Sequence, residues 1–159
     1  MTVVPVLAEI SLVLDTDVFS HWRNRQKYAL EAIALYQTRL KRPPLLTSIT
    51  VFEALRGIEI VVAKRGASEQ VDGIYRDRVE QLCELCGVLA FDRKAASIAA
   101  YVCAHLGDNL FRKHWRDVFI TATAIAHDHG VATGNKKDFE LIGNALPVEY
   151  PLRLAIWKP

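Results

Sequence analysis

Short apolar runs alternate along this chain with longer stretches of helical periodicity. Ser11-Leu12-Val13-Leu14 is continuous hydrophobic sequence ending in Asp15, the pattern of a strand buried on both faces of a parallel sheet. Helical spacing follows from about Val18 to Leu40 with a break near Arg25, and Pro43-Pro44 stops it. Leu45-Leu46-Thr47-Ser48 predicts a second strand. Thr47 or Ser48 caps the next helix, with Ile49, Phe52, Leu55 and Ile60 expected on its buried side. Gly66-Ala67-Ser68 separates that helix from another over about Glu69–Cys86. Gly87 ends it, and Val88-Leu89-Ala90-Phe91 predicts a third strand. Asp92 caps a helix to about Leu106, and Asp117 opens another that runs to about Asp128. A strand at Val131-Ala132-Thr133, helical turns over Lys136–Ile142 and a last strand near Val148-Glu149-Tyr150 complete the pattern. Strands alternating with helices predict an α/β fold with a central, mainly parallel sheet of four to five strands.

A chain of 159 residues predicts one domain over 1–159, with residues 1–10 as an N-terminal extension that is an extra element or a flexible end. Its 51% hydrophobic content excludes a disordered chain, and 8 Gly with 6 Pro exclude a collagenous one. No apolar run approaches the roughly 18 residues of a membrane span. The opening Met1-Thr2-Val3-Val4-Pro5-Val6-Leu7-Ala8-Glu9 lacks the basic start of a secretory signal, so a soluble, cytoplasmic protein is expected. Cys83 and Cys86 have CxxC spacing, but only Cys103 remains to complete a metal site. Their i, i+3 spacing on an apolar helix face points instead to buried, inert thiols.

The net charge of +2 specifies no polyanionic partner, but its distribution is uneven. Arg23, Arg25, Lys27, Arg39, Lys41 and Arg42 face Glu31 alone between Ser20 and Arg42, and Arg112-Lys113-His114-Trp115-Arg116 is a second basic cluster. Solvated helix faces account for such clusters; guidance of a phosphate backbone is the functional alternative.

Ligands of parallel α/β sheets bind beyond the carboxyl ends of the strands. Asp15 ends the first strand, Glu53 lies near the start of the helix after the second, and Asp117 stands at the rim of an apolar helix. Thr133, Asn135 and Asp138 follow the fourth strand. Taken singly, these are helix caps or surface residues. Converging, their carboxylates would repel one another unless a cation neutralises them or one holds a proton. Oxygen donors without His or Cys suit Mg²⁺ or Mn²⁺.

The segments Leu14-Asp15-Thr16-Asp17-Val18-Phe19, Thr47–Gly57, Asp117–Ala126 and Val131–Phe139 resemble, in order, the motifs of PIN-domain ribonucleases. The VapC-type toxins of bacterial toxin–antitoxin pairs are the subgroup they resemble most. The resemblance implies a three-layer α/β/α fold and a metal-dependent endoribonuclease. Asp15, Glu53 and Asp117 match the family's acidic triad, which would hold Mg²⁺ or Mn²⁺ beside the scissile phosphate. Thr16 matches the small hydroxyl residue beside the first acid, Asn135 the polar position after the last catalytic strand, and Asp138 an acid more often a structural cap. Asp17 replaces the usual Asn or Ser, and joins the metal site or caps the helix.

In the same reading the basic 107–116 segment is a loop longer than usual, and Arg23, Arg25, Lys27, Arg112, Lys113 and Arg116 contact RNA, with His114 in that loop touching it too. The resemblance further implies a cognate antitoxin covering the active site, and the apolar helices around Ile49–Val62 and Trp22 form its groove, a homodimer face or simply core. A rival reading is a phosphatase of the haloacid dehalogenase type, using Asp15 and Asp17 with Thr47-Ser48 and Asp108. Another is a non-catalytic PIN module that binds RNA or a protein partner.

Overall fold

A computed structural model describes residues 4–5, 10–65 and 69–159. The Gly66-Ala67-Ser68 separator, and most of the N-terminal extension, lie outside the described residues.

The elements run β1 (Val4–Pro5), β2 (Leu12–Leu14), α1 (Thr16–Arg23), α2 (Lys27–Leu40), β3 (Leu46–Thr47), α3 (Ser48–Arg65), α4 (Glu69–Cys86), β4 (Val88–Leu89), α5 (Arg93–Leu106), α6 (Asp108–Ala126), β5 (Gly130–Thr133), α7 (Lys136–Asn144) and β6 (Arg153–Ile156). The strands β1-β6-β5-β2 form one parallel sheet and β3-β4 a second. A bridge between Val13 and Leu45 joins them, with Leu14 N–H donating to the Leu45 carbonyl at 3.0 Å. Five of the strands lie in the regions the sequence marks or beside them. The sixth, β1, comes from the extension and pairs with β6 at the sheet edge, where a proline is tolerated because no partner needs its missing N–H.

The pleat sorts the core into two layers. Leu12, Leu14 and Ala132 pack with α1, α2, α3 and α4, whereas Val13, Val131 and Leu154 pack with α5, α6 and α7. Alternate strand residues thus face opposite helical layers, which is why β2 reads as an unbroken apolar run. The fold is α/β/α, as expected.

The break near Arg25 falls between α1 and α2, with Arg25 itself left-handed at φ 58°. Asp92 caps α5 by accepting from Ala95 N–H at 2.9 Å. Cys86 is buried, and desolvation pushes its thiol up to about 12, in keeping with an inert thiol. Among the described residues, no helix is long and apolar enough to cross a membrane.

Three local expectations are corrected. The last strand is β6, not Val148–Tyr150: Val148 is 90% exposed in a turn that Tyr150 N–H closes on the Pro147 carbonyl, and the alternation of buried Leu152 and Leu154 follows it. Asp117 does not open a helix. Gly107, at φ 80°, precedes a helix that already begins at Asp108, so the basic segment is helical and Asp117 lies mid-helix. On α3 the buried positions are Thr50, Ala54 and Ile58; of the expected ones Ile49 and Leu55 pack partly buried against the core, while Phe52 is 49% exposed. Apolar residues surround this helix on most sides, so their spacing alone does not select its packed face.

Gly130 begins β5 where neighbouring strands approach closely. A Cβ there would stand 2.9 Å from the Arg153 carbonyl oxygen and 2.9 Å from a Leu12 methyl. Gly130→Ala is therefore expected to destabilise by about 1–3 kcal/mol, lowering Tm by roughly 3–10 °C. Gly57→Ala, on an α3 site with nothing within 4 Å, should instead stabilise slightly. Thermal melts of both check the contrast, and an unchanged Tm for Gly130→Ala would contradict it.

Candidate functional site

The sheet reverses its direction of growth between β2 and β5: β3 and β4 extend one side, β6 and β1 the other. Asp15 leaves the carboxyl end of β2 at this switch point, 3% exposed. Its Oδ1 accepts from Val18 N–H at 2.8 Å and so caps α1, while its Oδ2 accepts from the hydroxyl of Thr133 at the end of β5. Thr133 Oγ1 in turn accepts from Asn135 N–H at 2.9 Å. Two strand ends and two helix starts are thus tied together through one carboxylate.

One cleft of about 210 Å³ is lined by Asp15, Thr16, Asp17, Glu53, Arg116, Asp117, Asn135 and Phe139. Glu53 reaches it from α3 with its side chain only 12% exposed, its Oε2 lying 2.7 Å from Arg116 Nε. Its other oxygen, Oε1, is buried with no hydrogen-bond partner among the described residues, and so is Thr16 Oγ1. Asp117 enters from α6 where that helix passes into the core, beside buried Val118, Ile120 and Thr121. Asp17 stands exposed on the first turn of α1.

Asn135 caps α7: its Oδ1 accepts from Asp138 N–H at 3.3 Å and its Nδ2 donates to Asp138 Oδ2 at 2.6 Å. Asp138 therefore serves the local cap, and its carboxylate also lies near His114 and Asp117 of α6. His114, one turn before Asp117 on α6, is 5% exposed with Nδ1 3.6 Å from Asp138 Oδ2. Ligand atoms of His114, Asp117 and Asp138 all lie within 4.8 Å of one another.

Burial raises Asp117 to about 7, reinforced by the charges of Asp15, Asp138 and Asp17 and opposed by Arg116. Burial likewise raises Asp15 to about 6, against the Thr133 and Val18 hydrogen bonds, with Asp17 adding repulsion. Too little positive charge stands among these carboxylates to neutralise them. The donor set is oxygen-rich, with orphaned oxygens on Glu53 and Thr16, and this fits a hard divalent cation.

Asp15, Thr16, Asp17, Glu53, Asp117 and Asn135 thus share the cleft, with Thr133 and Asp138 directly beside it. Arg116 also lines it, held on Glu53. Arg112 and Lys113 are exposed on the same helix. Arg23 and Arg25 line a different cleft, of about 440 Å³, with Tyr75, Asp77 and Arg78 of α4, and Lys27 pairs with Glu31 at 3.8 Å on the surface. His114 is not in a solvent loop touching RNA: as the helix starts nine residues earlier than expected, its ring turns inward. Phe139, part of the Val131–Phe139 motif, was not marked as a site residue in the sequence, and the inward ring of His114 was missed. The i, i+3 spacing of His114 and Asp117 could have signalled one shared helix face, had the helix start been known. Trp22, at 7% exposed, belongs to the core rather than to a surface groove. Thr47 hydrogen-bonds Thr50 in the interior, and Asp108 is exposed at the start of α6, so neither the hydroxyl nor the late acid of a phosphatase site reaches the cleft.

The raised carboxyls fix the sign of a pH effect. Between about pH 4 and 7 the native protein keeps protons on Asp117 and Asp15 that the unfolded chain releases, so stability is greatest at the acid end and falls as pH rises through this window. Asp117→Asn is expected to raise Tm of the metal-free protein at pH 8 by roughly 3–6 °C, on the order of 1–2 kcal/mol, with the gain vanishing near pH 4.5. Melting curves across this range check it, and an equal gain at both ends would refute it.

The match to the PIN domain family model spans residues 12–144. No curated protein matches the chain. Among solved structures, VapBC2 from Rickettsia felis bound to a promoter DNA fragment is similar at TM-score 0.67 and 15% identity, covering 94% of this chain and 100% of that one. DNA-bound VapBC from Salmonella typhimurium is similar at 0.64 and 23%, covering 94% and 99%. VapBC-1 from nontypeable Haemophilus influenzae follows at 0.60 and 22%, covering 93% and 98%. At these identities the structures speak for the fold, and the family model spans the strands and helices that build the cleft: the chain belongs to the PIN domain family.

Proposed function

We propose that this protein is a metal-dependent endoribonuclease, one domain acting in the cytoplasm as the toxin of a VapBC-type pair. The observation that carries the reading is the convergence of Asp15, Glu53 and Asp117 from three distant stretches on one cleft, with a buried Glu53 oxygen left without a partner. Family membership and the likeness to VapBC complexes support it.

Asp15, Glu53 and Asp117 would hold Mg²⁺ or Mn²⁺, with Thr16, Asp17 and Asn135 adding oxygens at the rim. When bound, such a cation would supply a Lewis acid for the scissile phosphate and would acidify an attacking water. The protein's own part is mostly positioning. Val18 N–H and the Thr133 hydroxyl fix both oxygens of Asp15, so that carboxylate needs no reorganisation when substrate arrives. Arg116 sits on Glu53 at the mouth of the cleft, where its guanidinium can also offset charge developing on the phosphate. Arg112 and Lys113, exposed on α6, would track the RNA backbone, whereas Arg23 and Arg25 in their separate cleft would contact a distal part of the substrate. An antitoxin or a second copy of the chain completes the assembly we envisage.

The test is cleavage of structured and single-stranded RNAs with Mg²⁺ or Mn²⁺ and with EDTA. EDTA should abolish cleavage, and Asp15→Asn, Glu53→Gln and Asp117→Asn should each lower it by at least about a hundredfold while keeping a cooperative melt. Full activity in any folded one of these variants would refute the reading, and metal-independent RNA binding without cleavage would favour a non-catalytic module.

Reversing Arg112 and Lys113 to Glu should weaken RNA binding and reduce its log–log salt slope by roughly 1.4 if both contact phosphate. Titrations at several salt concentrations measure this, and an unaltered slope would remove these side chains from the RNA path.

A further inference from the structure

His114 is not explained by the carboxylate chemistry above. An imidazole one turn from Asp117 on α6 is 5% exposed, yet its Nδ1 stops 3.6 Å from Asp138 Oδ2, beyond hydrogen-bond reach. Asp138 meanwhile is oriented from the other side, by Asn135 Nδ2 at 2.6 Å. Two helices thus bring a nitrogen and two carboxylates to one small volume beside the cleft, all within 4.8 Å, with Asp117 shared between the two.

We propose that His114 Nδ1, Asp117 and Asp138 form a nitrogen-containing cation subsite that takes a divalent first-row transition ion of the Mn²⁺ type in preference to Mg²⁺. The inference deepens the nuclease reading and rests on it for Asp117, which the subsite shares with the acidic triad. Its chemical basis is the donor set. Mg²⁺ prefers oxygen ligands in near-ideal octahedral geometry and keeps much of its water, so an imidazole adds little to its binding. Mn²⁺ and its heavier neighbours accept imidazole nitrogen beside carboxylate, with affinity rising along the series. Ligation at Nδ1 places the ring proton on Nε2. Asn135 acts here as a positioning residue: it holds the Asp138 carboxylate through its amide without joining the donor set.

The experiment uses the full chain with Mn²⁺ alone as probe. Electron spin-echo envelope modulation of the Mn²⁺-loaded wild-type protein should show a directly bound nitrogen, and labelling the histidines with ¹⁵N should convert the pattern. This measurement needs no variant, so it stands even where a substitution at a buried site disturbs folding. His114→Gln, verified by its melt, should lose the coupling and weaken Mn²⁺ binding by about tenfold in calorimetry, with Mg²⁺ affinity changed less than about twofold. Bound Mn²⁺ without nitrogen coupling, or coupling that persists in folded His114→Gln, overturns the subsite and leaves the nuclease reading intact. Nitrogen coupling in a wild-type protein that cleaves no RNA upholds the subsite and overturns the nuclease reading.

Discussion

Everything in this fold turns on the bonds that Asp15 makes at the gap between β2 and β5. One of its oxygens holds the first turn of α1, and the other holds Thr133 at the end of β5, which in turn holds Asn135 at the start of α7. The sheet's growth reverses there, so two strand ends diverge and leave room above them. A carboxylate with both oxygens satisfied inside the protein tolerates burial; Asp117, half-buried and without a hydrogen-bond partner among the described residues, is raised to about 7. The cleft is consequently a place where carboxylates repel one another, a repulsion that the cation proposed above would relieve.

That arrangement sets stability against chemistry. An apolar sheet packed on both faces excludes water from the strand ends, and the same exclusion lifts the pKa values of the acids placed there. The protein tolerates this because the surrounding layers, each built on alternate residues of β2 and β5, are well filled. Arg116 offers only partial neutralisation, since it is engaged with Glu53 and much of it faces solvent.

Much of this was legible in the residues. Each central strand is buried on both faces, so its apolar run is unbroken and stands out, and the residue that ends the run must lie at the sheet's carboxyl edge. That logic located Asp15 and Thr133. Capping chemistry, a local matter of a short side chain and three following residues, located Asp92, whereas Asn135 was marked only as a polar residue after the fourth strand and the cap was looked for at Asp138. The start of α6 was missed although its signal is present: Phe111, Trp115 and Phe119 recur every four residues and their rings pack together, but Arg112, Lys113 and Arg116 between them gave the segment a basic, loop-like look. The error carried a consequence, for it put His114 in solvent when its ring lies inside. The packed face of α3 was equally hidden, because apolar side chains surround that helix and the neighbours that choose among them are distant in sequence.

By itself, then, the sequence determined the alternation of the central strands with helices, the parallel sense of the sheet and the acid that ends β2, since each follows from a period or a cap within a few residues. Only the tertiary structure decided which of those acids meet, that Arg116 falls on Glu53 while Arg23 and Arg25 lie elsewhere, and that His114 turns inward toward Asp138. These depend on where the strands stand in the sheet and how far each helix extends before it reaches the core. Such distances are set by packing between residues as far apart as Asp15 and Thr133, and no local period encodes them.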